Sequence, residues 1–168
     1  FPIIVTSPIL KLKFCAKGFI SEKIYILPCS LPNKLEKSFL KIRELRKNNG
    51  RLGGTLIVIC RLDSYKRVDW LVDSFSKSLA AKRLIILGDG PNRIQLESYV
   101  ENIIRADQRV DFYGRVNESM KINFLSQADL LVLPADSSNE AFGIVQLEAM
   151  ATGIPSLAYN LPDSGMYW

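Results

Sequence analysis

From residue 54 onward, short runs that are apolar at nearly every position alternate with stretches whose apolar residues recur at helical spacing. This alternation constrains the fold more than any other feature. "GTLIVIC" (54–60), "RLIILG" (83–88), "RVDFYG" (109–114), "ADLLVLP" (128–134) and "IPSLAY" (154–159) read as strands. A strand with one wet face alternates polar and apolar residues, whereas a continuous apolar run belongs to a strand covered on both faces, the habit of parallel sheets. Between the runs, Val68, Leu71, Val72, Phe75 and Leu79 share one helical face. "DGPN" turns into a helix reaching about Val100, while "NESMKINFLSQ" and Gly143–Thr152 supply two more. Repeated strand–helix units of this length predict an α/β, Rossmann-like, three-layer parallel sheet.

The first fifty residues read differently. Strands are expected at Ile3–Thr6 and Lys23–Pro28, a short helix between them from Pro8 to about Lys17, and a turn at "CSLPN". A charged helix then covers Lys34–Lys47, with Leu35, Phe39, Ile42 and Leu45 as its apolar stripe and "NNG" as its stop. This section holds ten Lys/Arg against three Glu, and the remainder of the 168 residues twelve against fourteen acids, for a net charge of +5. The excess sits away from the motif-rich part, which points to an edge, a partner surface or an anionic membrane rather than to nucleic acid. Plain solubility charge explains many of these lysines equally well.

With no histidine in the chain, His-ligated zinc and His-based triads are excluded within it. The three cysteines form no CxxC pair and favour a reducing, cytoplasmic compartment. No apolar run approaches the ~20 residues of a membrane span. The opening "FPIIVTSPILKLKF" lacks the order of a secretion signal and reads as an excerpt from mid-protein.

A parallel sheet places ligands at the carboxyl ends of its strands, beside helix N-termini. That selects the loops 61–67, 88–92, 114–118 and 134–143 and the segment after Tyr159, where glycine and polar residues gather. In "NEAFGIVQLEAMATGIP" (139–155), Glu148 falls within roughly 40° of Ile144 on a helical wheel and shares its arc with Leu147 and Ala151. A buried carboxylate needs a partner, whether a backbone donor, a basic residue or a ligand hydroxyl. Glu140 precedes a helix start at which Gly143 permits close approach and free amides attract anions. It reads as an ordinary helix-start acid or as a second hydroxyl acceptor. Arg61 and Lys66 follow the first core strand, either as surface charge or as a cationic pair for phosphate oxygens. "GDGPN" is not GxGxxG, and no Walker A sequence is present. Within "FYGRV" (112–116), Tyr113 reads equally as pocket wall and as core.

Taken together, "RLDSYKRVDWLVDSF", "LIILGDGP", "VDFYGRV", "ADLLVLPADSSNEAFGIVQLEAMATGIP" and "NLPDSG" resemble the C-terminal, donor-binding domain of the retaining glycosyltransferase family 4, which has the two-domain GT-B fold. The resemblance covers about residues 54–165. It implies that residues 1–33 are the end of an acceptor-side N-terminal domain with its linker, and that 34–168 are a nucleotide-sugar domain lacking its last elements. It also implies that Arg61 and Lys66 hold the donor diphosphate, that Glu140 contacts the donor sugar, and that Glu148 accepts the ribose hydroxyls. The amides of Phe142, Gly143 and Ile144 would meet sugar and distal phosphate, with Gly88, Tyr113, Gly114, Arg115 and Val116 around the nucleotide. The expected substrate is a GDP- or UDP-sugar without an essential metal, and the acceptor a glycan or lipid-linked hydroxyl bound through the missing half. Two departures stand out. Arg67 occupies a place where many members have glycine, and "NLPDSGMYW" replaces their glycine-rich turn. The alternatives are another Rossmann-like sugar-nucleotide enzyme and a non-catalytic nucleotide-sugar-binding or regulatory domain.

Overall fold

Ser7 opens the first helix by accepting the amide of Leu10 at 3.3 Å, with Pro8 in the first turn where a missing N–H costs nothing. Ile3–Val5 (β1), Pro8–Ala16 (α1) and Ile24–Ile26 (β2) form a small unit whose two strands pair in parallel. The computed structural model describes residues 1–49, 53–102 and 109–167. The predicted helix stop at Gly50 and the closing Trp168 lie outside them.

The charged helix spans Asn33–Asn49 (α2). The chain then runs through Thr55–Ile59 (β3), Val68–Ser76 (α3), Arg83–Leu87 (β4), Arg93–Asn102 (α4), Val110–Gly114 (β5), Glu118–Gln127 (α5), Leu130–Leu133 (β6), Ile144–Ala151 (α6) and Ser156–Ala158 (β7). All pairings are parallel and the strand order is β5-β4-β3-β6-β7. Successive side chains of β4 serve opposite faces. Leu84 and Ile86 pack with Val72, Phe75 and Leu96 of α3 and α4, while Ile85 and Leu87 pack with Phe39, Leu125 and Ala149 of α2, α5 and α6. Covering both faces gives the three-layer sheet, and each such side chain contributes about 1.5–3 kcal/mol by burial.

Two expectations about faces need correction. α3 ends at Ser76 and leaves Leu79 fully exposed. The chain turns there through Ser78, whose amide bonds the Phe75 carbonyl and whose Oγ accepts from Ala81. In α6 the inward positions are Val145, Glu148 and Ala149, and Ile144 is 44% exposed. No helix among the described residues is long and apolar enough to cross a membrane.

Candidate functional site

The chain leaves β3 for β4 and β5 on one side and returns for β6 and β7 on the other. The carboxyl ends of β3 and β6 therefore flank a topological switch point, where open α/β sheets hold ligands. The loop after β3 tightens into a 3-10 turn at Ser64–Lys66 and ends at Arg67, whose φ of 49° is left-handed. Such a backbone suits glycine, and a side chain there costs roughly 1–2 kcal/mol. Arg67 is held in place by Asp69 at 3.1 Å, by Asp136 at 3.6 Å and by the Trp70 ring at 3.8 Å. The amide of Asp136 donates to the Tyr65 carbonyl at 3.0 Å, so the two loops are tied across the switch point.

A second tie joins the acid and the cation singled out above. Lys66 Nζ forms a short ion pair with Glu140 Oε2, both side chains being largely buried. Burial disfavours the Lys66 charge, but the hydrogen bond and charge of Glu140 outweigh it and hold the ammonium above its ordinary range. The other oxygen, Glu140 Oε1, accepts the Gly143 amide at 3.2 Å. Gly143 is the residue before α6, with φ of 71°, and a Cβ on it would stand 2.9 Å from Leu133 Cδ2. One carboxylate thus links the β3 loop to the start of α6.

Behind these ties lies a cleft of about 400 Å³, walled by Arg61, Gly88, Arg115, Val116, Lys121 and Val145. Cys60 borders it too, and burial pushes its thiol up to about 12, with the charges of Lys66 and Glu140 acting on it in opposite directions. Gly88 has φ of 133°, and a Cβ there would overlap the Cys60 carbonyl oxygen at 1.8 Å. Its amide donates to the Gly114 carbonyl at 2.7 Å, so three strand ends meet at this glycine. The Arg61 side chain is 66% exposed on the wall of the cleft and pairs with Asp63 at 3.4 Å.

Glu148 is buried next to the cleft. Its Oε1 accepts from Lys121 Nζ at 2.7 Å, and its Oε2 is buried without a hydrogen bond. Burial raises the Glu148 carboxyl above its ordinary value despite the opposing effect of Lys121. Lys121 itself is held upward, because Glu148 and Glu118 together exceed the desolvation that acts against its charge. The two directions are compatible, since burial penalises each charge and the pairing favours both.

Of the residues named from sequence, Arg61, Gly88, Arg115 and Val116 wall the cleft. Lys66, Glu140 and Gly143 form one network at the switch point, Gly114 is tied to Gly88, and Glu148 reaches the cleft through Lys121. Tyr113 is not among the walls. Its ring lies on Phe124 with centroids 4.4 Å apart, and its hydroxyl accepts from Arg83 at 2.7 Å. Phe142 and Ile144 likewise contribute no wall. Lys121 is a site residue that the loop motifs do not single out; its signal in the sequence is its spacing of three and four from Phe124 and Leu125, which puts it on their helical face.

A parallel sheet with helices on both faces makes this a Rossmann-like α/β domain, and the solved structures it superposes on are GT-B glycosyltransferases. The Anabaena protein HepE, solved in complex with UDP, superposes with a TM-score of 0.77 at 20% identity, over 98% of this chain and 46% of that one. The profile "Glycosyl transferases group 1" matches residues 53–166, and the chain belongs to that family. It is 35% identical over 142 residues to N-acetyl-alpha-D-glucosaminyl L-malate synthase of Bacillus anthracis, a match covering 83% of this chain and 33% of that one. It is 31% identical over 135 residues to an exopolysaccharide phosphotransferase of Streptomyces coelicolor, covering 79% of this chain and 13% of the other. The chain therefore spans a third or less of these two relatives.

Proposed function

We propose that the chain is the donor-binding part of a retaining hexosyltransferase that uses a nucleotide-diphosphate sugar. The observation that carries this reading is the Lys66–Glu140–Gly143 network across the switch point, next to a cleft reached by Arg61. In this reading Arg61 and Lys66 bind the diphosphate and stabilise the negative charge that develops as the sugar–phosphate bond breaks. Glu140 meets the sugar, Glu148 the ribose, and Arg115 and Val116 border the base. The acceptor hydroxyl, on a glycan or a lipid-linked saccharide, comes from the part of the protein beyond this domain. It is deprotonated with help from a departing diphosphate oxygen on the same face as the bond that breaks, which retains configuration. Charge neutralisation falls to the side chains and amides, with no essential metal. UDP- and GDP-sugars are the candidate donors; HepE is solved with UDP.

A calorimetric competition among UDP-, GDP- and ADP-sugars on this chain tests the reading. Arg61→Ala and Lys66→Ala are each expected to weaken diphosphate binding by ~1–3 kcal/mol. No binding of any nucleotide sugar by the wild type would end it. The basic first section is further proposed to lie against anionic lipid at a cytoplasmic membrane face. Because Lys13 is engaged by the Asp163 carbonyl at 2.7 Å, Lys11 and Lys17 are the charges to reverse in liposome sedimentation.

A further inference from the structure

Lys121, a charged residue on the wall of the cleft, has no task in the proposed function. Lys121 stands on the face of α5 that otherwise packs into the core through Phe124 and Leu125. Its side chain is 16% exposed, donates to Glu148 Oε1 at 2.7 Å and lies 2.9 Å from Glu118 Oε1. An ammonium has three N–H groups, so two carboxylates do not exhaust it. Glu148 in turn is 5% exposed and its Oε2 is buried with no hydrogen bond. An unpaired buried acceptor is costly unless a ligand satisfies it. Lys121 is the member of this pair that faces the cleft.

We propose that Lys121 is a positioning residue for the donor nucleotide. It anchors Glu148 through Oε1 and keeps it an anion, so that Oε2 is left to accept a ribose hydroxyl. The inference rests on the nucleotide-sugar reading of the cleft. Other charged groups around the pair are Glu118 on α5, Arg61 and Asp89 in the β3 and β4 loops, Arg115 after β5, and Arg43 of α2, which lies against Gly153 beyond α6. Without Lys121, burial and the Glu118 charge both push Glu148 toward its protonated form. Acid loss of binding then sets in at a higher pH.

The test is calorimetry on the whole 168-residue chain with UDP-glucose and GDP-mannose. Each phosphorus of these ligands carries one ester and one anhydride link and keeps a single strongly acidic oxygen, so neither has the second ionisation, at about pH 6, of a terminal phosphate. Lys121→Met is expected to weaken binding about tenfold near pH 7.5 and to move the acid limb of the profile upward. Lys121→Arg keeps the charge and most of the affinity. In a Glu148→Gln background, Lys121→Met is expected to add less than about twofold, because the lysine acts through that carboxylate. An unchanged affinity and pH profile in Lys121→Met, or losses that simply multiply in the double variant, would overturn the proposal alone. A wild type that binds no nucleotide sugar overturns the donor reading and this proposal together. If Lys121→Met does not fold, Lys121→Gln takes its place with the same expected and overturning results.

Discussion

Arg67 shows how one residue can hold a backbone that its own side chain resists. Among the described residues it is the non-glycine position with positive φ, and it lies one residue beyond Lys66. Its guanidinium meets Asp69, Asp136 and the face of Trp70, contacts that hold the β3 loop against the β6 loop. Alanine there keeps the strain and loses the contacts, whereas glycine loses the contacts and the strain together. Arg67→Gly is therefore expected to be about 1 kcal/mol more stable than Arg67→Ala in urea unfolding. Equal stabilities would mean that the left-handed backbone carries no penalty here.

At the scale of elements, the end of α3 separates core from surface within a few residues. Phe75 is 2% exposed and packs under β4, so Phe75→Ala is expected to cost ~3–5 kcal/mol. Leu79 has left the helix for solvent, and Leu79→Ser is expected to change stability by less than about 0.5 kcal/mol in the same assay. Helical spacing alone assigned both to one stripe, because periodicity continues past the turn that Ser78 makes. The strands were more legible, since β3, β4 and β6 are buried on both faces and their apolar runs leave little ambiguity. The buried side of α6 was harder to read. Ile144 and Val145 are equally apolar, and only packing against β6 decides which of them turns inward. The acid at Glu148 was legible as an anomaly, but its partner required knowing that α5 and α6 are neighbours. Tyr113 was undecidable from sequence because its ring and hydroxyl are satisfied by Phe124 and Arg83, from two other elements.

For the molecule as a whole, among the groups that titrate at alkaline pH, the Cys60 thiol and the Lys66 and Lys121 ammoniums hold their protons more tightly in the fold than in the open chain. Burial lifts the Cys60 thiol from 9.0 to about 12, and Lys66 and Lys121 are held above 10.5. A group whose value is raised by folding contributes stability below its unfolded value and loses it as pH climbs through the folded one. The thermal midpoint is thus expected to start falling near pH 9 because of Cys60 and to fall faster above 10.5 as the lysines follow. Cys60→Ala should delay the onset of that fall, as scanning calorimetry from about pH 8 to 11 would show. An onset unmoved by the substitution would place the alkaline loss elsewhere.

The contact of Gly88 with the Cys60 carbonyl, and its bond to Gly114, fasten three strand ends to one another. The floor of the hollow above them is thus backbone against backbone, with no room for a side chain at Gly88. Arg61 and Lys121 are the long side chains on its wall, so exchanging them is expected to change what the hollow accepts, while changes beneath them chiefly cost folding.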